Sequence, residues 1–265
     1  MSKPVPYLAD EAIERDAAAL LAEYAQARGV TVKPPIPIED IVEKHLKLRV
    51  EFDDTHKLFG IPRDPECDAD ILGAIFFDEA RIVIDESLDP EENPAMEGRY
   101  RFTLAHEAVG HWRLHRHLFA KDPAQAFLFG GRAAPSFVCR SSDAMKREEW
   151  QANFAASCGL MPRNSVIETW RERFGDTNAR ILRRKNRINL PSDASGEMAE
   201  VCRSINEQRD VEAMNEFVRP FAEKFLVSMV AMRIRLERLG LLHREVPRQR
   251  SLTVGVSALF FKGNV

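Results

Sequence analysis

The chain has 265 residues, of which 45% are hydrophobic and 30% charged, with a formal net charge of −3. That length and balance support a sizeable core and match an ordinary globular protein. The near-neutral charge gives no global field for nucleic acid, no apolar run nears the roughly 20 residues of a membrane span, and the first ten residues lack the apolar centre of a secretion signal. Four cysteines, Cys67, Cys139, Cys158 and Cys202, lie far apart with no CxxC pair. That pattern suits reduced thiols, and the expected location is the cytoplasm.

In chain order, Ala9 to Arg28 has Ile13, Ala17, Leu20, Leu21 and Tyr24 at helical spacing, with Gly29 as a stop. A Pro-rich connector leads to a short helix from Ile38 to Leu46 and a strand-like run from Lys47 to Phe52. An acidic loop containing Cys67 follows. Ile71 to Phe77 and Arg81 to Asp85 are apolar, β-branched runs split by Asp78-Glu79-Ala80, which predicts a hairpin. One long helix is predicted from about Glu97 to His117. Ser136 to Cys139 is a short apolar run, and Asp143 to Leu160 is a strong helix stopped by Pro162. Ser165 to Phe174 continues helical. Arg171 to Arg187 is a basic run, and Pro191 to Gly196 reads as a linker. Glu212 to Leu241 is expected to be helical with a break at Pro220, and Leu252 to Phe261 to be a final strand. The expected fold class is α+β, with a metal-helix domain over residues 1–170 and a mainly helical region over 171–265.

The chemistry concentrates in the stretch Arg101 to His117, RFTLAHEAVGHWRLHRH. Two imidazoles to bind zinc and a glutamate to move protons are the parts of a metal hydrolase. The spacing departs from HExxH: His106 and His111 are five residues apart, not four. An α-helix turns about 100° per residue, so ligands at i and i+4 lie about 40° apart, whereas those at i and i+5 lie roughly 140° apart. Three outcomes are compatible with this spacing. A π-bulge absorbs the extra residue, the helix breaks at Gly110, or the site binds metal poorly. His115 and His117 read as structural or solvent-facing.

A catalytic zinc needs a third protein ligand. Glu149, Ala152, Asn153 and Ala156 share one helix face, and the small residues permit close approach to the histidine helix. Glu149 is therefore a candidate ligand. A solvated first-turn carboxylate favoured by the helix dipole is equally compatible. Glu148 points about 100° away.

These segments resemble the ImmA/IrrE family of zinc metallopeptidases, and the resemblance covers most of the chain. Its carriers are RFTLAHE with Gly110-His111 and Leu114-His115, EWQAN with FAA and LMP (Glu149 to Pro162), and FLVSMVAMRIRLERLGLL from Phe225 to Leu242. The resemblance implies a zincin-like fold, His106, His111 and Glu149 as zinc ligands, and Glu107 as catalytic base. It implies cleavage of a helix-turn-helix repressor or related regulator, linked to stress, mobile-element or phage-defence genes. The extra residue before His111 departs from the family pattern.

Three further expectations concern regulation and partners. Cys139 is the candidate inhibitory fourth ligand, because thiolate binds zinc strongly and this residue lies just before the Glu149 helix; Cys67 is second. The Ile71 to Phe77 strand either offers an edge to an extended substrate or is buried core. The basic run allows nucleic acid as an activator. It also supports the competing reading, a non-catalytic regulatory or DNA-binding module on a degenerate zincin scaffold.

Overall fold

The structure is a computed structural model that describes residues 5–61, 71–119, 136–140, 146–182, 188 and 196–244. Cys67 and its acidic loop, most of the 191–196 linker and the expected strand at 252–261 lie outside these residues. No helix among them is long and apolar enough to cross a membrane. The fold class is α+β.

Helix α1 (Asp10–Arg28) buries Ile13, Ala17, Leu20 and Tyr24 on one face. It ends where Gly29 adopts a φ of 65° and its N–H reaches the carbonyls of Ala25 and Gln26. The next segment differs from the expected regular helix. Helix α2 (Ile38–Asp40) passes into a π-helical turn (Ile41–His45), closed by a 2.9 Å bond from Leu46 N–H to the Ile41 carbonyl. Strand β1 (Arg49–Asp53) and helix α3 (Thr55–Phe59) follow.

The expected hairpin forms. Strand β2 (Ile71–Phe76) and strand β3 (Arg81–Asp85) pair antiparallel, and β1 adds to β3 in parallel. The apolar run before the Glu149 helix becomes strand β4 (Phe137–Arg140), antiparallel to β2. The sheet order is therefore β1-β3-β2-β4. This corrects the reading of β2 as an available edge: both of its sides are paired, and its run of apolar side chains is the signature of a buried central strand. Alternation sends Ile75, Ile82 and Ile84 into the main core, while Ala74, Phe76 and Val83 form a small cluster on the opposite face.

On the main-core face lie helix α4 (Glu97–Ala105), its π-helical continuation (His106–His115), helix α5 (Arg116–Phe119) and helix α6 (Arg147–Leu160). Helix α6 packs between the π-helical segment and α1. Beyond Pro162 come helix α7 (Arg163–Phe174), strand β5 (Arg180–Leu182), helix α8 (Gly196–Phe225), helix α9 (Met229–Arg238) and strand β6 (Leu242–Arg244), which pairs in parallel with β5. The position chosen to divide the chain, residue 170, falls inside α7, and its buried Trp170 belongs to the same core as Ile13 and Leu236.

Pro220 does not break α8, which starts at Gly196, earlier than expected, and runs on to Phe225. Proline removes one backbone donor, but Val218, Phe221, Ala222 and Phe225 are buried around it and hold the helical path. The turn comes at Leu226, with φ 49°, and Ser228 then caps α9 by accepting from Ala231 N–H at 3.1 Å. Helix α9 is fixed by Arg235, which is almost fully buried. Its guanidinium donates to the Met161 carbonyl at 2.9 Å and pairs with Glu14 on α1. The Phe225 to Leu242 segment thus contributes Met232 and Leu236 to the core.

Candidate metal centre

The site begins with the way α4 continues. The chain does not break at Gly110. From His106 to His115 the backbone is π-helical, and at its end Arg116 N–H bonds to the carbonyl of His111, five residues back. In that geometry residues five apart return to the same face. The one-residue excess is absorbed, and the Nε2 atoms of His106 and His111 lie 3.1 Å apart.

Gly110 serves this arrangement differently from the way its flexibility suggested. Its φ is not in the left-handed region. A Cβ placed on it would lie 2.5 Å from the Ala152 Cβ and 2.6 Å from the Ala152 Cα. Glycine is required because the π-helical segment and α6 touch there. Further along α6, a Cβ on Gly159 would meet Val109 at 3.2 Å. The small-residue face read from the sequence is this contact.

The close approach brings in Glu149 from the first turn of α6. It is 4% exposed, while Glu148 is half-buried and outside the cluster. Glu149 Oε2 is 3.1 Å from His106 Nε2, and Oε1 is 3.5 Å from His111 Nε2. With the 3.1 Å between the rings, the two imidazole nitrogens and the two carboxylate oxygens close a tight group of residues with contacts of 3.1 to 3.5 Å. Ligands held tetrahedrally at about 2.0–2.1 Å from zinc are separated by roughly 3.3 Å, so the group fits such an ion. The His106, His111 and Glu149 group could hold a metal ion.

The groups behind the ligands determine which nitrogens face the centre. Gln151 Nε2 donates to the Pro6 carbonyl at 2.8 Å, and a carbonyl can only accept. Gln151 Oε1 must then face His115 Nε2, 2.9 Å away, and accept its proton. His115 Nδ1 is left as an acceptor for His111 Nδ1–H at 3.0 Å. His111 Nε2 therefore turns a lone pair to the centre. On the other ligand, His106 Nδ1 donates to Asn153 Oδ1 at 3.0 Å, which favours a lone pair on its Nε2 as well. Two such lone pairs 3.1 Å apart beside a carboxylate repel one another unless a proton or a metal cation lies between them.

Electrostatics agrees. Burial holds His111 down at about 3, so its ring is neutral. Burial also opposes a proton on His106, but Cys139, Glu149 and Glu107 beside it outweigh that and hold it well above the usual histidine range. Burial disfavours the Glu149 carboxylate, yet the two facing rings bring it down to about 2.

Glu107 faces the same region and is fully buried. Neither carboxylate oxygen has a hydrogen-bond partner among the described residues, and burial pushes the group up to about 8. Space for it comes from β2: a Cβ on Gly73 would lie 3.4 Å from Glu107 Oε1 and 2.9 Å from Thr103 Cγ2. Opposite Gly73 in the sheet stands Cys139, a free thiol whose sulfur lies within 4.8 Å of ligand atoms of both His106 and Glu107. Phe137, two residues earlier, stacks on the His111 ring at 4.1 Å between centroids and 14° between planes.

The structure thus brings together His106, Glu107, His111, Glu149 and Cys139. His117 is exposed and apart from them. Sequence reasoning missed the roles of His115, Gln151 and Asn153 behind the ligands, and that of Phe137. His115 stands four residues from His111 and Gln151 two from Glu149, which was the available signal. Of the basic run, Arg171 and Arg173 are exposed on α7, Arg180 pairs with Asp176 at 2.9 Å, and residues 183–187 lie outside the described residues. No protein-family model matches the chain, and no curated protein matches it.

Proposed function

We propose that this chain is a zinc-dependent metalloendopeptidase with a zincin-like catalytic domain of the ImmA/IrrE kind. The observation that carries the reading is the buried triangle of His106, His111 and Glu149 beside an unpartnered, fully buried Glu107. A structural histidine cluster would satisfy its polar atoms internally, because a buried carboxylate without partners is costly. Glu107 left bare beside a metal-shaped triangle is an arrangement suited to proton transfer.

When bound, zinc supplies Lewis-acid polarisation of a carbonyl and makes water more acidic. His106, His111 and Glu149 would hold the ion, and Asn153 and the His115–Gln151 pair would keep the rings turned to it. Glu107 takes a proton from the attacking water and delivers it to the leaving amine. Gly73 leaves the carboxylate room to do so, and Phe137 covers the His111 ring.

The substrate in this reading is a helix-turn-helix transcriptional regulator in the cytoplasm, cut in a linker or frayed helix end where the chain is already extended. Separating the DNA-binding half from the dimerising half removes bivalent operator binding and relieves repression. Nucleic acid enters as a candidate activator through the exposed Arg171 and Arg173. These two side chains form an ordinary solvated helix face, so the non-catalytic DNA-binding reading gains no separate support from them.

The test is co-expression with the regulator encoded beside this chain, comparing wild type with Glu107→Gln by intact-mass spectrometry. Wild type cuts the regulator once, and Glu107→Gln retains its metal but leaves the regulator whole. A regulator that stays intact with wild type under DNA damage, phage challenge and added nucleic acid removes the substrate assignment. Equal cleavage by Glu107→Gln removes the mechanism.

A further inference from the structure

Strand β4 occupies an unusual position. It pairs antiparallel with β2 on the side of the sheet next to the metal-binding triangle, with Gly73 opposite Cys139 and Ile75 opposite Phe137. An extended peptide added to the sheet at this place would use the same β2 hydrogen-bonding groups. Alternation along β4 sends Val138 to the far face and turns Phe137 and Cys139 toward the histidines. Phe137 covers the His111 ring. Cys139 brings its sulfur to His106 and Glu107.

We propose that β4 is an internal occupant of the substrate groove, with the Cys139 sulfur as the resting fourth metal ligand. The proposal rests on the metal-centre reading above. It does not rest on the thiol alone. Glu107 is a fully buried carboxylate with neither oxygen partnered, and it is aimed at the space that the thiol also faces. Two groups from different elements converge beside His106, the residue shared with the His106, His111 and Glu149 group. A thiolate there completes four-coordination, as in closed zinc sites, and its proton is released on binding. Water and substrate are excluded by the same strand. Cleavage then requires β4 to leave β2, so a substrate strand and β4 exchange for one position.

The geometry of Gly73 belongs to this arrangement. Any side chain there would press on Thr103 and Glu107 and would stand opposite the thiol. Glycine also suits the irregularity in the β2–β4 register between Ile71 and Gly73.

Cobalt(II) in place of zinc reads the ligand set without any substrate. Wild type loaded with cobalt shows an intense near-ultraviolet thiolate-to-cobalt band above the weaker visible ligand-field bands. Cys139→Ala and Cys139→Ser lose the intense band and keep the visible ones, while Cys202→Ala, on α8, keeps both. Zinc protects Cys139 from alkylation in wild type, read by peptide mass spectrometry, and the protection disappears in Glu149→Ala. Visible bands without the thiolate band in wild type, or a thiolate band that survives in Cys139→Ala, overturn the proposal while the metal centre stands. Absence of every cobalt band in wild type overturns both. The wild-type spectrum alone decides between these results, whether or not the variants fold.

Discussion

Two π-helical segments occur among the described residues, and they differ in what they enclose. The first, Ile41–His45, turns Ile41 and Val42 into the core and leaves its polar groups at the surface, where His45 stands 3.9 Å from Glu23. The second, His106–His115, buries His106, Glu107, His111 and His115 together with its apolar residues. The same backbone irregularity packs a corner in one place and gathers buried polar side chains that could hold a metal in the other. A π-turn is therefore not a sign of chemistry by itself. What distinguishes the second is an extra residue between polar side chains that face inward, and a neighbouring helix whose small residues allow contact at Gly110 and Ala152.

The largest effect that sharpens the contrast is on metal binding. His111→Ala or Glu149→Ala should weaken zinc binding by more than the roughly 10–100-fold that changes behind a ligand produce. His45→Ala should leave it unchanged. Calorimetric titration of the three variants measures this, and equal losses would erase the distinction.

The close contact comes next. Gly110→Ala forces a methyl group into Ala152 and should cost about 1–3 kcal/mol of stability, with zinc binding weakened as α6 is pushed away. Denaturant unfolding and the same titration follow both. A neutral substitution would mean that the helices do not meet there.

The relay behind His111 should matter less than the ligands themselves. Gln151→Ala leaves His115 without its acceptor and frees the alternative tautomer, so zinc affinity should fall about 10–100-fold. Gln151→Glu restores an acceptor for His115 and should recover part of the loss, whereas a purely structural role predicts no such recovery.

The smallest effect is at the first π-turn. Asp40, just before it, is held below the usual carboxylate range by Lys44 first and then by the Tyr24 hydroxyl, which donates at 2.6 Å. A folded pKa below the unfolded one adds stability that is present above the unfolded value, near 3.8 in the reference state, and lost as pH falls through the folded value. Asp40→Asn should therefore flatten only the acid side of a stability–pH curve. Because the pair is solvent-screened, the change is small. Zinc binding at neutral pH should not respond.

Much of this was legible in the residues. The hairpin, α1 with its Gly29 stop, and the face of Glu149, Ala152, Asn153 and Ala156 follow from periodicity and small-residue spacing. The π-helix was one of three outcomes that the spacing allowed, and nothing local selects among them. What selects it is packing on α6, which is a tertiary contact. The relay was hidden for the same reason: the carbonyl that fixes Gln151 belongs to Pro6, 145 positions away. The pairing of β4 with β2 was equally out of reach, since a four-residue strand carries little periodicity. Pro220 misled because proline's local cost was weighed without the buried side chains that outweigh it in α8.

The central claim is that His106, His111 and Glu149 hold one metal ion. X-ray absorption at the zinc edge, on protein purified without chelator, tests it most directly. The account predicts about one zinc per chain, with two imidazoles and a carboxylate oxygen at about 2.0–2.1 Å, and one imidazole fewer in His111→Ala. Protein that carries no stoichiometric zinc, or a zinc spectrum unchanged by His111→Ala, would contradict it.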